Sequence, residues 1–300
     1  MPCYHPLRGF RARHVNESGK CGIVFDRKAG FVDQPVEVPC GQCIGCRLER
    51  SRQWAMRCYH ESKLYEDNCF VTLTYNDESL PEGGTLVKKH FQDFMKRLRF
   101  SHPERKIRYF HCGEYGETTF RPHYHAILFN LAFQDQKLFS IKNGFRLYTS
   151  DRLERIWGHG FATVGSVTFD SAGYCARYIM KKVTGDDAEK HYQRIDPDTG
   201  EIFAVEPEYC TMSRRPGIGK GWLEKYKDQT YPSDTVVING AVMRPPKFYD
   251  SQLSDDERER IKHRRMSRAL EHAADNTLAR LRVRQTVKEA QIGNLKRSVE

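Results

Sequence analysis

Arg121-Pro122-His123-Tyr124-His125-Ala126-Ile127-Leu128-Phe129 is a run of aromatic and branched apolar residues entered through a proline, and it reads as a β-strand. Alternate residues of a strand share a face, so His123 and His125 project side by side while Tyr124 points the other way. Two imidazoles on one rigid face make half of a divalent-metal site. The segment before it, Ile107-Arg108-Tyr109-Phe110-His111-Cys112, is a second strand running into Gly113-Glu114-Tyr115-Gly116-Glu117. The connection is short, which predicts an antiparallel pair and brings Glu114 beside His123 and His125. Glu117 competes for the same place, because loop length alone does not separate the two. Two imidazoles and a carboxylate suit a hard or borderline cation with positions left open, as catalysis requires. Arg121, at the mouth of the strand, is a candidate phosphate contact.

Further out, Cys69-Phe70-Val71-Thr72-Leu73-Thr74-Tyr75 has the composition of a buried strand. Helical spacing of Val87, Phe91, Phe94, Met95 and Leu98 predicts a helix over about 86–99. Another helix is expected near 150–157, then a fourth strand over 161–169. Asp170 or Ser171 is expected to cap the helix that follows, Gly173-Tyr174-Cys175-Ala176-Arg177-Tyr178-Ile179-Met180-Lys181-Lys182. Tyr174 and Tyr178 are spaced i and i+4 and so stack on one helical face, with Lys181 and Lys182 on it or at its edge. Two phenols beside two ammonium groups offer paired nucleophiles and charge stabilisation for a phosphate. The plainer alternative is that these tyrosines pack onto the sheet.

The chain has 300 residues, a formal net charge of +10 and ten cysteines. The charge favours polyanionic partners such as nucleic acid. No apolar run resembles a signal peptide or a membrane span, so a reducing, cytoplasmic setting is expected, where clustered cysteines bind metal rather than form disulfides. Val38-Pro39-Cys40-Gly41-Gln42-Cys43-Ile44-Gly45-Cys46 is such a cluster, a Cys-x2-Cys-x2-Cys run with glycines that suit a turn around one tetrahedral Zn²⁺. The fourth ligand is open among Cys3, His5, Cys21 and Cys58, with Cys3 favoured. An iron–sulfur pattern is incomplete here.

A basic helix is expected over 47–66, carrying Arg47, Arg50, Arg52 and Arg57. Residues 192–205 suggest a hairpin, and a Gly-rich loop at 213–222 brings Arg214, Arg215 and Lys220 together beside Trp222. That loop fails as a nucleotide-binding P-loop, but it can grip a DNA backbone while Trp222 stacks a base. The organisation expected is a Cys-rich element with its basic helix at 1–66, a core carrying the Glu, His-x-His and tyrosine motifs at 67–185, a hairpin and basic loop at 186–250, and a basic helical or partly disordered arm at 251–300.

The order of a buried strand, a glutamate followed by His-x-His, and Tyr-x3-Tyr-x2-Lys-Lys on a helix resembles the HUH endonuclease superfamily. Phe70–Tyr75, His123-Tyr124-His125, and Tyr174, Tyr178, Lys181 and Lys182 are similar to its three motifs. Cys3, the cysteine run at 38–46 and Ser-Arg-Arg-Pro-Gly-Ile-Gly at 213–219 resemble the replication initiators of the gokushovirus branch of Microviridae. The resemblance implies an α+β fold, a central antiparallel sheet flanked by helices, with a Cys-rich element before it and a helical arm after it. It also implies Mg²⁺ or Mn²⁺ held by His123, His125 and Glu114, attack on DNA by Tyr174 or Tyr178, and assistance from Lys181 or Lys182. The partners implied are a single-stranded or supercoiled circular DNA origin and the host replication helicase and polymerase. On the residues alone two other classes stay open: a zinc-stabilised nucleic-acid-binding regulator without cleavage, and a hydrolase that uses water.

Overall fold

In the computed structural model, which describes residues 3–17, 19, 21–142, 144–177, 188–195 and 199–294, the His-x-His segment is a strand at the heart of an antiparallel sheet. Three strands precede it in a sheet of their own, β1 (Leu7–Val15), β2 (Cys21–Val24) and β3 (Gly30–Val38), ordered β2-β1-β3. Helix α1 (Ile44–Ser62) leads into β4 (Asn68–Thr74), α2 (Lys88–Phe100), β5 (Arg108–Tyr115) and β6 (Pro122–Phe129). A hairpin of β7 (Lys137–Lys142) and β8 (Phe145–Thr149) follows, then α3 (Asp151–Trp157), β9 (Ala162–Gly165) and α4 (Phe169–Arg177). Beyond them lie a short turn α5 (Ala188–His191), β10 (Gln193–Ile195), β11 (Ile202–Ala204), β12 (Tyr209–Met212) and α6 (Lys220–Thr230). The chain closes with the small hairpin β13 (Val236–Ile238) and β14 (Ala241–Met243), the turn α7 (Lys247–Asp250), and helices α8 (Asp255–Glu271) and α9 (Leu278–Gly293). The protein is thus α+β, with a Cys cluster at its N-terminal end and helices at its C-terminal end.

The main sheet has seven antiparallel strands in the order β12-β5-β6-β4-β9-β8-β7. Its pleat sorts the side chains onto two faces. Val71, Leu73, Tyr124, Ala126 and Leu128 lie with Phe91, Phe94, Met95 and Leu98 of α2 and Leu153 and Trp157 of α3. Phe70, Phe110, Cys112, Ile127 and Phe129, on the opposite face, meet Ala55 and Cys58 of α1 and Ala172, Cys175 and Ala176 of α4. Each large apolar side chain fully buried in this way contributes about 1.5–3 kcal/mol. These two layers place the sheet between helices, and burial of both faces favours the strand register that builds the site.

Three expectations shift. Helix α1 begins at Ile44 rather than 47, because the Cys43 carbonyl already accepts the Arg47 amide at 3.0 Å. The fourth strand ends at Gly165 and α4 begins at Phe169. Its cap is Thr168, not Asp170 or Ser171. Thr168 Oγ1 accepts from the Ser171 amide at 3.0 Å, and Ser171 Oγ accepts from the Thr168 amide at 2.8 Å, a reciprocal capping arrangement. The sheet β1–β3 and strand β12 were not anticipated.

The described residues divide into two compact units, one formed by those up to Arg50 together with 259–294, the other by Ser51–Arg258. Among the described residues no helix is long and apolar enough to cross a membrane.

Candidate metal centre

Strands β5 and β6 pair with Glu114 opposite His123 and Cys112 opposite His125, and β4 sets Thr72 opposite His125. Facing residues of neighbouring strands share a face, so one side of three adjacent strands carries Glu114, His123, His125 and Thr72. Along that face the character changes from apolar (Phe70, Phe110, Ile127, Phe129) at one end to polar at the other. His123 Nε2 and His125 Nε2 each lie 2.8 Å from the same oxygen, Glu114 Oε1. Glu114 is fully buried, and the three ligand atoms lie within 4.8 Å of one another. Burial by itself would raise the Glu114 pKa; the two imidazole N–H donors outweigh it and hold the carboxyl well below the usual carboxylate range.

The rings are oriented from behind. His123 Nδ1 lies 3.1 Å from the Arg121 carbonyl oxygen, and His125 Nδ1 is 3.0 Å from Thr72 Oγ1. Each outer nitrogen thus has its own partner, and each Nε2 faces the carboxylate. Phe70 stacks on His125 at 5.5 Å between centroids. The donor set, two imidazole nitrogens and one carboxylate oxygen on a stiff sheet, fits a divalent cation with coordination positions left over. Glu117 is in the exposed turn after β5 and is not part of the cluster.

Tyr174, half-buried on α4, stands edge-on to His125 with ring centroids 5.2 Å apart and touches Phe70 the same way at 6.1 Å. Arg177, one turn later and exposed, sits 5.7 Å from the Tyr174 ring centroid. Tyr178, Lys181 and Lys182 lie outside the described residues. Arg121 donates to the Tyr75 carbonyl at 3.0 Å and pairs with Asp77 at 2.7 Å, so its guanidinium holds the β4 exit as well as facing solvent.

Arg214 and Arg215 project from an exposed loop, and Lys220 opens α6 beside Glu224 at 3.6 Å. A buried ion pair anchors this loop. Glu61 Oε1 accepts from Arg108 Nε at 2.5 Å, Glu61 Oε2 accepts from the Gly219 amide at 2.7 Å, and Arg108 Nη2 donates to the Pro216 carbonyl at 2.8 Å. Gly219 has φ of 80°, and a Cβ there would stand 2.6 Å from the Tyr249 hydroxyl, so only glycine fits. Trp222 is not free to stack a base on both faces: the His60 ring is stacked on it at 3.5 Å between centroids, nearly parallel. Three contributors escaped the sequence reading: Thr72, Phe70 as a ring support, and Arg177. Only Thr72 left a trace there, as a polar residue at an alternate position of a strand otherwise buried.

The second cluster gathers Cys3, Cys40, Cys43 and Cys46, with all four sulfurs within 4.8 Å. Cys21 and Cys58 stand apart from it: Cys21 is exposed and its thiol meets the Ala12 carbonyl, while Cys58 is buried against the main sheet.

A family model described as replication-associated protein ORF2/G2P matches residues 68–183, the stretch that holds both the Glu-His-His centre and Tyr174. The chain is 37% identical over 262 residues to replication-associated protein VP4 of Bdellovibrio phage phiMH2K, covering 83% of this chain and 76% of that one. It is 33% identical over 273 residues to replication-associated protein ORF2 of Spiroplasma virus 4, covering 84% and 80%. With replication-associated protein ORF4 of Chlamydia phage 1 the identity is 27% over 225 residues, covering 72% and 53%. No solved structure matches. Similarity of this depth along most of both chains makes the protein a member of the Microviridae-type phage replication-associated proteins.

Proposed function

We propose that this protein initiates rolling-circle replication as an HUH endonuclease: it nicks single-stranded origin DNA by tyrosine attack, keeps the cut 5′ end as a phosphotyrosyl ester, and religates the displaced circle. The observation that carries the reading is the convergence of Glu114, His123 and His125 on one sheet face with Tyr174 edge-on to His125. A phenol, a cation site and a basic surface together answer the needs of phosphodiester transfer. Mg²⁺ or Mn²⁺ at Glu114, His123 and His125 would supply Lewis-acid polarisation of the scissile phosphate.

We take the Tyr174 hydroxyl as the nucleophile, since its ring stands edge-on to His125. Its oxygen forms a bond to phosphorus, the bond from phosphorus to the 3′ oxygen breaks, and the departing oxygen takes up a proton as a free 3′-hydroxyl. The reverse attack by a 3′-hydroxyl reseals the strand without a nucleotide cofactor, because the energy of the diester is kept in the tyrosyl ester. Tyr178 is assigned the second cut that exchanges strands, and Lys181 or Lys182 the stabilisation of developing negative charge. Arg121, Arg214, Arg215 and Lys220 would hold the DNA backbone, and host helicase and polymerase would extend the freed 3′ end. The four thiols of Cys3, Cys40, Cys43 and Cys46 we assign to Zn²⁺.

Incubating the purified protein with end-labelled single-stranded phage DNA and Mn²⁺, then running a denaturing protein gel, tests the mechanism. Label is expected at the protein's mass, absent in His123→Ala and in the Tyr174→Phe/Tyr178→Phe double variant. Cleavage without a protein-linked strand would establish a hydrolase that uses water instead. Binding without cleavage on every origin tried would establish a regulator.

A further inference from the structure

Burial does little to hold the sheet β2-β1-β3 together. Its buried residues are Gly9, Phe10 and Ala12 on β1 and Gly30 on β3, with none on β2. None of the three buried hydrophobic clusters among the described residues draws on this unit of the chain. The unit's other buried apolar side chains are few, Tyr4, Ile261 and Leu281, and a small sheet with so thin an apolar layer is marginal in water without some other staple.

The thiols are placed to be that staple. Cys3 precedes β1, whereas Cys40, Cys43 and Cys46 follow β3, so the cluster closes the stretch of chain that contains the whole sheet. Four sulfurs about 2.3 Å from one tetrahedral ion stand roughly 3.8 Å apart. Cys3 and Cys40 are 3.6 Å apart, and Cys3 and Cys43 are 3.9 Å apart. Backbone amides already point at the sulfurs: Tyr4 to Cys43 at 3.3 Å, Cys40 to Cys3 at 3.2 Å and Cys43 to Cys40 at 3.3 Å. Donors arranged like this are what anionic sulfur requires. Meanwhile Cys43 stands just before the first turn of α1, where the helix N-terminus favours negative charge.

We propose that a Zn²⁺ ion on Cys3, Cys40, Cys43 and Cys46 replaces a hydrophobic core for β1–β3: its loss unfolds this sheet and leaves the seven-stranded sheet folded. The proposal rests on the assignment of the four thiols to zinc, and two measurements separate the two ideas.

The first is zinc content of the full chain carrying His123→Ala and His125→Ala, so that the Glu-His-His centre does not contribute. One zinc per chain is expected, released in full by an organomercurial reagent and detected with a metallochromic dye. Cobalt in its place should show sulfur-to-metal charge-transfer absorption. No zinc, bound iron, or a disulfide among the four thiols would overturn the assignment and the proposal together.

The second is amide hydrogen exchange on the zinc-loaded and the chelator-stripped chain. Amides of Leu7–Val15 and Gly30–Val38 should exchange about tenfold faster or more once zinc is gone, with those of Arg108–Phe129 unchanged. Unchanged exchange in β1 and β3 after complete zinc loss would leave the zinc site standing and refute its role as the staple. Because the stripped native chain gives this readout, a Cys40→Ser/Cys43→Ser variant that fails to fold costs the test nothing.

Discussion

Thr72 is the most informative residue to change, because it touches no proposed ligand atom of the metal and yet positions one. Its hydroxyl lies 3.0 Å from His125 Nδ1, directly across the β4–β6 ladder. Thr72→Val keeps the branched shape and the strand preference and removes only the hydroxyl. The direct loss to folding is one hydrogen bond, about 0.5–1.5 kcal/mol. The effect on the centre should be larger, since an imidazole that loses the partner of its outer nitrogen is freed to rotate and becomes a weaker donor. Losses of this kind cost roughly 10–100-fold in metal affinity, or about 1.4–2.8 kcal/mol.

Titration calorimetry with Mn²⁺ on the wild type and Thr72→Val measures this directly. Thr74→Val is the control: Thr74 faces His123 in the same ladder, but the His123 outer nitrogen is held by the Arg121 carbonyl instead. Thr74→Val should therefore bind Mn²⁺ like the wild type. Binding by Thr72→Val within twofold of the wild type would refute the reasoning, as would an equal loss in Thr74→Val.

Two further predictions concern the scaffold. Glu61 and Arg108 are 2% and 5% exposed, so Glu61→Ala strands a buried guanidinium and should cost about 3–5 kcal/mol in urea unfolding, while Glu61→Leu with Arg108→Met should recover most of that; a single variant as stable as the wild type would show that the pair is not desolvated. His60, buried against Trp222 and bonded through Nδ1 to the Tyr249 hydroxyl at 2.8 Å, has its pKa lowered by burial from 6.5 to about 3. The unfolded chain then binds the proton first, so stability is complete above pH 6.5 and falls as the pH drops toward 3, by up to about 1.4 kcal/mol per pH unit. His60→Phe should flatten that slope in unfolding curves between pH 7 and 5, and identical slopes would show that His60 is not the group responsible.

How much could be foreseen differs from element to element for physical reasons. The Glu114–His123 pairing was legible because a short connection leaves two strands few ways to pair, and period-two alternation then fixes which side chains share a face. Helix α2 was legible through its apolar spacing, Phe91, Phe94, Met95 and Leu98 all being buried. The sheet β1–β3 was not, since its side chains are mostly exposed on both faces and no alternation marks it. Strand β12 joins β5 from about a hundred residues along the chain, a pairing that no local pattern encodes. Trp222 looked available because an aromatic beside basic residues suggests stacking on a base, and its partner His60 comes from α1, far away in sequence. Thr72 became meaningful only once the register placed it opposite His125.

The interior position of β4, β5 and β6 has a consequence for control. Each has a hydrogen-bonded neighbour on both sides; His123 and His125 are paired on both flanks, by β5 and by β4, and Glu114 pairs with His123 one residue beyond the end of the β12 ladder. Such amides open only when the domain opens as a whole. Local loosening is therefore a costly way to switch the centre off, because both imidazoles sit in the paired interior of the sheet. On the proposed function, control would act on traffic: on the path of a DNA strand to the sheet, and on the seating of the helix bearing Tyr174 when it arrives.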